Sequence, residues 1–251
     1  MKNYSKEQVL KIMTSVSEKY EEKLKDKHFL IVYQENINIR TVQVGFRDFN
    51  YLHMTGVKSA LSAPRFYEKC INKKLKTTEF ELDVKGNAHR KLMVLPYLPD
   101  LLYNNCMIGD FINSGICIKA DYFVGNTKAV LSVGFRTGKS VDFPVTLYNE
   151  DIRKLTQPTC KVLAIFRKEY KEKYYMKCTY LSKGQDINKL LLLEEVNKLI
   201  RVDDDIEVLD SNNEKVVPEV PPEPDEIRAI ERANRSIAEN GTIPHEAINW
   251  D

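Results

Sequence analysis

The ten residues from Phe49 to Lys58 hold the side chains of this sequence that are best placed for acid–base chemistry. They read Phe-Asn-Tyr-Leu-His-Met-Thr-Gly-Val-Lys, so that His53, Thr55 and Lys58 stand within six residues. An imidazole among apolar neighbours can acquire a pKa near neutrality, as proton transfer requires. A Thr hydroxyl can orient a proton or contact a phosphate, and a Lys can neutralise an anion. The alternative is that His53 is a core histidine, the commoner role of a single His in an apolar segment.

Sequence motifs argue against several other kinds of site. The chain contains no metal-ligand box, P-loop or dinucleotide-binding fingerprint. Its five cysteines are an odd number, are widely spaced and include no Cys-x-x-Cys pair. We therefore expect reduced, mostly buried thiols rather than a disulfide framework or a zinc site. The cysteines are Cys70, Cys106, Cys117, Cys160 and Cys178.

The formal net charge of +2 conceals a strong asymmetry along the chain. Residues 203–251 contain 14 Asp and Glu against 4 Lys and Arg, whereas residues 1–202 contain 22 against 34. A basic body fits a polyanionic partner such as nucleic acid. The acidic tail could occupy the same basic surface as a polyanion mimic, in cis or across a dimer. The other interpretation is a solvated, disordered tail.

Hydropathy gives an expectation for the compartment. No apolar run reaches the roughly 18–20 residues that span a bilayer. Residues 1–7 lead directly into an amphipathic pattern, without the apolar core of a signal peptide. We therefore expect a cytoplasmic protein without a membrane partner.

Periodicity predicts helices and one pair of strands in the first half of the chain. Apolar residues recur every three or four positions over Ser5–Lys25, and Ser5 with Gln8 forms a capping-box pattern. Two strands are expected to follow, over His28–Tyr33 and Asn38–Phe46. Further helices are predicted over Ala63–Leu75, Thr77–Val84 and His89–Asn104, the last bent or broken by Pro96 and Pro99.

From Met107 onwards the sequence changes to short runs rich in β-branched and aromatic residues, separated by turn signals. Their even spacing predicts an antiparallel meander, so that helices precede strands in an α+β fold. The predicted strands are Met107–Ile112, Ile116–Ala120, Ala129–Phe135, Ser140–Leu147, Lys161–Arg167 and Tyr174–Leu181. A Leu-rich helix over Gln185–Ile200 is expected to close this body, which we place at residues 1–202.

The end of the chain has a different composition. Residues 203–224 are acidic and rich in proline, which predicts an extended linker. Asp225–Asn240 is expected to form a short helix within an acidic tail, residues 225–251. A helix of this length is marginal alone in water, so we expect it to dock on its own body, a second copy or another protein.

Five segments together resemble one family. In order and spacing they are similar to segments of the phage-associated group of the barnase–EndoU–colicin–RelE-like nuclease superfamily. The similarity covers roughly residues 4–183. Residues 51–57 resemble its F-x-H-L-T-G-hydrophobic signature. The other four segments are Phe66–Cys70, Ile118–Asp121, Phe143–Leu147 and Lys161–Phe166.

This resemblance implies a metal-independent endoribonuclease without a cofactor, built from helices ahead of a four-stranded antiparallel sheet. In such enzymes the ribose 2′-hydroxyl attacks the adjacent phosphate and gives a cyclic phosphate. By matched position, His53 would be the general acid or base, Thr55 and Thr146 would bind the phosphate, and Lys119 would stabilise the transition state. Weaker candidates for contacts with the RNA are Lys58, Arg65, Arg136 and Lys139. The body offers no second motif-matched His, so a mechanism with two histidines has no support. Lys119, as a charge-based catalyst, or a nucleobase contact would have to fill the second role.

The tail is similar to the C-terminal ends of some RelB-type antitoxins, which implies a toxin of a phage or mobile element restrained by its own tail. Two other readings stay open. One is a catalytically inactive module that binds RNA, a host protein or an antitoxin in phage–host conflict. The other is an ADP-ribosyltransferase-like enzyme, which can carry a site His on a strand but needs a glutamate that no motif here assigns.

Overall fold

The computed structural model describes residues 4–83, 86–112, 120–126, 130–200 and 207–208. The chain divides into two compact units, Met1–Asn213 and Glu214–Asp251, and the second lies outside the described residues. The predicted tail helix therefore lies outside them as well. So do nearly all of the linker and all but the last residue of the strand predicted over Ile116–Ala120.

The helices fall mainly before the strands, as predicted. The long first helix confirms its capping box, because Ser5 Oγ accepts from Gln8 N at 3.3 Å and Gln8 Oε1 accepts from Ser5 N at 2.9 Å. The α-helices are α1 (Lys6–Lys23), α2 (Asp48–Thr55), α3 (Ala63–Ile71), α4 (Asn87–Val94), α5 (Ile152–Leu155), α6 (Ile187–Leu191) and α7 (Glu194–Asn197).

Two helical predictions need correction, and a third, a helical stretch broken at Pro96 and Pro99, is confirmed with a different start. Thr77–Glu79 is one 3-10 turn rather than a helix to Val84, and Gln185–Ile200 holds the two short helices α6 and α7. The stretch predicted over His89–Asn104 begins earlier as α4 and becomes a 3-10 helix, Leu95–Tyr103, that contains both prolines. Proline cannot donate the backbone hydrogen bond that an α-helix needs at these positions.

The strands form one sheet in the order β2-β1-β7-β3-β4-β5-β6, with β8 pairing on β7. The pairings are antiparallel except that of β8 with the two-residue β9. The α+β fold is therefore confirmed, and the meander is present as β3 to β6, but the long strand β7 lies between β1 and β3. The strands are β1 (Lys27–Glu35), β2 (Asn38–Phe46), β3 (Met107–Phe111), β4 (Tyr122–Asn126), β5 (Leu131–Arg136), β6 (Phe143–Asn149), β7 (Thr156–Glu169), β8 (Lys177–Leu181) and β9 (Glu207–Val208).

Strand β4 is absent from the sequence-based prediction because Gly125-Asn126 resembles a turn. Both residues instead pair with β5. A Cβ on Gly125 would lie 2.7 Å from Ser132 Oγ and 2.8 Å from Leu131 O. The glycine thus permits a close strand approach and marks no chain reversal.

The main core lies between α1–α4 and one face of the sheet, where Phe46 meets the rings of Tyr20, Phe29 and Phe135. A second cluster on the other face is covered by α6 and α7. The buried cysteines Cys70, Cys106, Cys160 and Cys178 are free thiols, as expected, and Cys117 lies outside the described residues. Among the described residues, no helix has both the length and the apolar character to span a bilayer.

The two ends of the sheet path, β2 and β6, come together through Asp142. Gly45 N donates to Asp142 O at 2.9 Å, and Asp142 N donates to Gln43 O at 2.8 Å. This closure brings β6 beside α2, where the buried Asn50 donates through Nδ2 to Pro144 O at 3.1 Å. The helix that carries His53 is thereby fixed against the strand that carries Thr146.

Candidate active site

Helix α2 presents His53 to solvent in its last turn. The apolar neighbours that suggested a core histidine, Tyr51 and Met54, are fully buried on the opposite side of the same helix. The helix ends at Gly56, whose φ of +74° is a left-handed conformation that favours glycine. His53 therefore lies on a helix end rather than on a strand, unlike the His of the ADP-ribosyltransferase alternative.

The side chain of Thr55 is hydrogen-bonded to the backbone at the end of α2. It is fully buried, its Oγ1 donates to Leu52 O at 2.7 Å, and it accepts from Val57 N at 3.3 Å. A buried hydroxyl whose donor and acceptor are both engaged cannot also hold a phosphate. The structure thus places Thr55 as a residue that fixes the turn after His53.

Lys91 is the side chain that the sequence analysis missed. It extends from α4 to the end of α2, where Nζ donates to His53 O at 3.0 Å. A Cβ on Gly56 would lie only 2.7 Å from Lys91 Cδ, so the glycine makes room for this lysine. The side chain is half-buried, and desolvation lowers the Lys91 pKa to about 8 despite the opposing effect of Asp83. No local signal connects residues 53 and 91, because the fold brings them together.

Asp83 anchors the start of α4 beside the same group of charges. Its carboxylate accepts from Asn87 N at 3.2 Å and from Ala88 N at 2.9 Å. Desolvation raises the Asp83 pKa, but these amide hydrogen bonds and the charge of Lys58 lower it overall. Lys58 is exposed and is held by a backbone bridge to Glu81, with N–O distances of 2.9 and 2.8 Å. His53, Lys58 and Lys91 thus belong to one part of the surface.

Strand β6 packs against α2 and α4 and carries the polar side chains of Thr146 and Tyr148. Thr146 is half-buried opposite Gly134, and its Cγ2 lies 2.8 Å from where a Cβ on that glycine would be. Tyr148 lies two residues further on the same strand face. Burial raises the Tyr148 pKa and the charge of Arg90 opposes the rise, which places Arg90 of α4 near β6. Helix α4 therefore connects α2 with β6.

The other predicted cations lie farther along the surface or outside the described part. Arg136 ends β5, Lys139 follows in the turn to β6, and both are exposed. Arg65 is exposed on α3, which packs against α2. Lys119 lies outside the described residues. The residue after it, Ala120, has its Cβ 2.9 Å from where a Cβ on Gly134 would be, close to Thr146.

A second histidine in α4 is committed to packing. His89 Nδ1 accepts from Tyr4 N at 3.1 Å, and the two rings stack with centroids 6.1 Å apart. Its neighbours in sequence, Arg90 and Lys91, point to β6 and to α2. Within the described residues, His53 is thus the histidine of this surface with an exposed ring.

Comparison with protein families decides what this surface belongs to. Residues 12–184 match the model of the family described as phage-Barnase-EndoU-ColicinE5/D-RelE like nuclease 4. The chain belongs to this nuclease family. No curated protein matches the chain, and no solved structure matches it.

The residues matched by the family model include the elements that form the candidate site. The match runs from within α1 to just beyond β8, so α2, α4 and β6 all belong to the family's domain. It ends before α6, α7 and the acidic tail. The similarity of the tail to antitoxin ends therefore receives no support from the match.

Proposed function

We propose that this member of the nuclease family is a metal-independent endoribonuclease that cleaves RNA through attack of a ribose 2′-hydroxyl. The bond from the 2′-oxygen to phosphorus forms while the bond from phosphorus to the 5′-oxygen breaks, which leaves a cyclic phosphate. The 2′-hydroxyl loses a proton and the leaving 5′-oxygen gains one, so two proton-transfer groups are needed. The juxtaposition of His53 and Lys91 at the end of α2 carries this proposal.

His53 is proposed as one proton-transfer group because its ring is exposed while the helix beneath it is fixed in the core. Lys91 is proposed as the other, because a pKa of about 8 lets it exchange a proton near neutral pH. In this assignment Lys91 takes the second role, for which the sequence had suggested Lys119 or a nucleobase contact.

The remaining predicted residues receive supporting roles in the proposal. Thr146 and Lys119 orient the phosphate and stabilise its developing negative charge. Thr55 positions His53 through the turn that it stabilises. The exposed side chains of Lys58, Arg65, Arg136 and Lys139 contact the RNA backbone.

Cleavage of total RNA in the presence of EDTA tests the proposal. We expect the wild-type chain or its 1–217 fragment, which retains the whole first unit, to cleave. Replacing His53 with Ala should reduce the rate by about 100-fold or more. Full activity in the His53→Ala variant would contradict the assignment. RNA binding without cleavage by any of these proteins would favour the inactive binding module.

The charge asymmetry supports a second proposal, that the acidic tail restrains the nuclease by occupying its basic surface. The 49 residues from 203 carry ten more acidic than basic side chains, against an excess of twelve basic ones in the body. The tail would act on its own body in cis or on a second copy in a dimer. In either case we expect deletion of Pro218–Asp251 to raise cleavage or toxicity. Unchanged behaviour would remove this idea, and loss of a bound host or antitoxin protein would indicate recruitment instead.

A further inference from the structure

Exposed aromatic rings are concentrated around the candidate active site. Among the described residues, three large aromatic side chains have high exposure: Phe49 at 45%, Phe143 at 38% and Tyr170 at 52%. They come from α2, from β6 and from the turn after β7, and contacts of neighbouring residues connect these three places. Exposed rings in such an arrangement indicate a surface that binds a partner.

The first link in the series joins His53, Phe49 and Phe143. Phe49 and His53 are four residues apart on α2, so their side chains lie on the same exposed face. The residues that follow Phe49 and Phe143 are joined by the hydrogen bond from Asn50 Nδ2 to Pro144 O, at 3.1 Å. The two phenylalanines therefore flank one contact between α2 and β6.

The second link leads from Phe143 to His28. The preceding residue, Asp142, is hydrogen-bonded to β2 at Gly45 and Gln43. Gly45 pairs with His28, and a Cβ on Gly45 would lie 2.9 Å from His28 Cδ2 and 3.0 Å from Val141 Cγ1. The imidazole thus lies over the glycine beside the segment that begins β6.

The third link ends at Tyr170. His28 meets this ring edge-on, with centroids 5.2 Å apart, and Arg47 Cζ lies 4.1 Å from the centroid of Tyr170. Arg47 immediately precedes α2, so Tyr170 lies near the start of the helix that carries Phe49. Burial and the nearby charges of Lys168 and Arg47 lower the His28 pKa, and Arg47 Nη1 also pairs with Asp26 Oδ1 at 3.3 Å. We name the series His53, Phe49, Phe143, His28 and Tyr170 the aromatic strip.

We propose that the aromatic strip binds single-stranded RNA and delivers its scissile phosphate to His53. Bases would stack on the rings while Arg47 and Lys168 attract the phosphates, as in other single-strand channels. A duplex cannot use such a strip, because its base faces are already stacked on one another. By analogy with other single-strand sites, we expect the strip to bind on the order of four nucleotides. This inference rests on the proposed function and names its substrate class.

Binding to an RNA that cannot be cleaved tests the strip separately from catalysis. The probe is a labelled, mixed-sequence 2′-O-methyl RNA of about eight nucleotides, alone or annealed to its complement, measured by fluorescence anisotropy with the full chain. We expect single strands to bind more tightly than the duplex. The Phe143→Ala and Tyr170→Ala variants should each weaken single-strand binding by about 5- to 100-fold.

Two controls keep the result specific. Leu192→Ala removes a side chain that is 81% exposed on the part of the chain beyond the family match, and should leave binding unchanged. Phe143→Tyr and Tyr170→Phe retain a ring and should restore binding, which separates stacking from a folding defect. Equal affinity for duplex and single strand, or wild-type binding by both Ala variants, would overturn the inference.

Cleavage assays distinguish failure of this inference from failure of the proposed function. On long RNA the Tyr170→Ala variant should raise KM, whereas the control variant Leu192→Ala should leave KM at the wild-type value. His53→Ala should lose most of the cleavage but keep most of the binding to the uncleavable RNA, because the other four rings of the strip remain. Binding by the strip in a protein that cleaves no RNA would uphold the inference and refute the nuclease proposal, whereas cleavage with no strip effect would do the reverse.

Discussion

Two desolvated lysines, Lys27 and Lys91, show how differently two regions of this molecule use charge. Desolvation lowers the pKa of both side chains. Lys27, near the end of α1, lies 3.8 Å from the carboxylate of Glu169 and within 3.5 Å of the carbonyl oxygens of Glu21 and Lys25. Lys91 has the carbonyl of His53 at 3.0 Å, next to an exposed imidazole.

The surroundings of Lys27 form a nearly complete network. Glu21 accepts from Lys25 Nζ at 2.8 Å and from Tyr67 OH at 2.7 Å. Arg167 Nη1 donates to Tyr103 OH at 2.9 Å, although the buried Nε of Arg167 lacks a hydrogen-bond partner among the described residues. Groups paired in this way stabilise a fold and leave little free to bind a substrate.

Within the described part of the chain, the side chain of Lys91 has fewer hydrogen-bond and ion-pair partners than that of Lys27. Among the described residues, Asp83 is the carboxylate that acts on Lys91, and it already accepts hydrogen bonds from two backbone amides. The ring of His53 extends into solvent. We conclude that a perturbed pKa alone does not separate structural from catalytic lysines. The open side of the group, where a substrate could complete its interactions, makes the distinction.

The strongest test of this contrast is the same substitution at both lysines. Lys91→Met should reduce RNA cleavage by about 100-fold because a proton-transfer group is lost. Lys27→Met should leave the rate per folded molecule unchanged. Initial rates with folded protein quantified by circular dichroism would measure both. Equal losses in the two variants would refute the separate roles of the two regions.

The pH dependence sharpens the assignment of Lys91. If the protonated amine is required, cleavage should decline above pH about 8, and Lys91→Arg should move that decline to higher pH. Between pH about 8 and the ordinary Lys value of 10.5, the unfolded chain binds more protons than the folded one. Wild-type stability should therefore rise over this range relative to Lys91→Met. Allowing for partial solvent screening, we expect about 1 kcal/mol, measurable by urea unfolding.

Gly56 offers the next largest effect, because it connects the backbone of α2 to the side chain of Lys91. Gly56→Ala would impose a φ of +74° on a residue with a Cβ and place that atom 2.7 Å from Lys91 Cδ and 3.2 Å from Ala88 Cα. We expect a loss of about 2 kcal/mol in the free energy of unfolding. Cleavage by the remaining folded protein should also fall, since Lys91 must move. A stable, fully active variant would show that the packing of Lys91 against α2 is unimportant.

Local sequence patterns predicted individual helices and strands. They did not predict which distant segments pack together in the fold. Capping and periodicity predicted α1, and runs of apolar, mostly β-branched and aromatic residues predicted β1 and β2, because those signals lie within one element. The insertion of β7 between β1 and β3 depends on pairing between distant segments, which no local pattern encodes. The same limit explains Gly125, which resembles a turn residue but serves close strand packing.

The residues of the candidate site likewise fall into those that a local motif identified and those that only tertiary packing identified. His53 was identified from its local signature, but the exposure of its ring follows from which face of α2 is buried. Thr55, in the same signature, proved to be buried and bonded to backbone. Lys91 lies in a segment without a motif, so only the packing of α4 against α2 identifies it.

A smaller effect is expected in the paired network near Lys27. Tyr67→Phe removes the hydroxyl that donates to Glu21 at 2.7 Å and keeps the ring that packs on Tyr20 and Tyr51. We expect about 1 kcal/mol less stability in urea unfolding and an unchanged cleavage rate. A selective loss of activity would instead extend the catalytic region into this network.

The smallest effect should come from His89, the histidine that shares α4 with Lys91. Its Nδ1 accepts from Tyr4 N at 3.1 Å and its ring stacks on Tyr4, so His89→Ala should cost about 0.5–1 kcal/mol of stability. Because that ring faces the start of α1 rather than α2, cleavage should continue at the wild-type rate. His89→Ala is thus a matched control for His53→Ala, with the same side chain removed from the same surface region. If both variants lost activity equally, exposure of the ring would no longer explain why His53 is the reactive one.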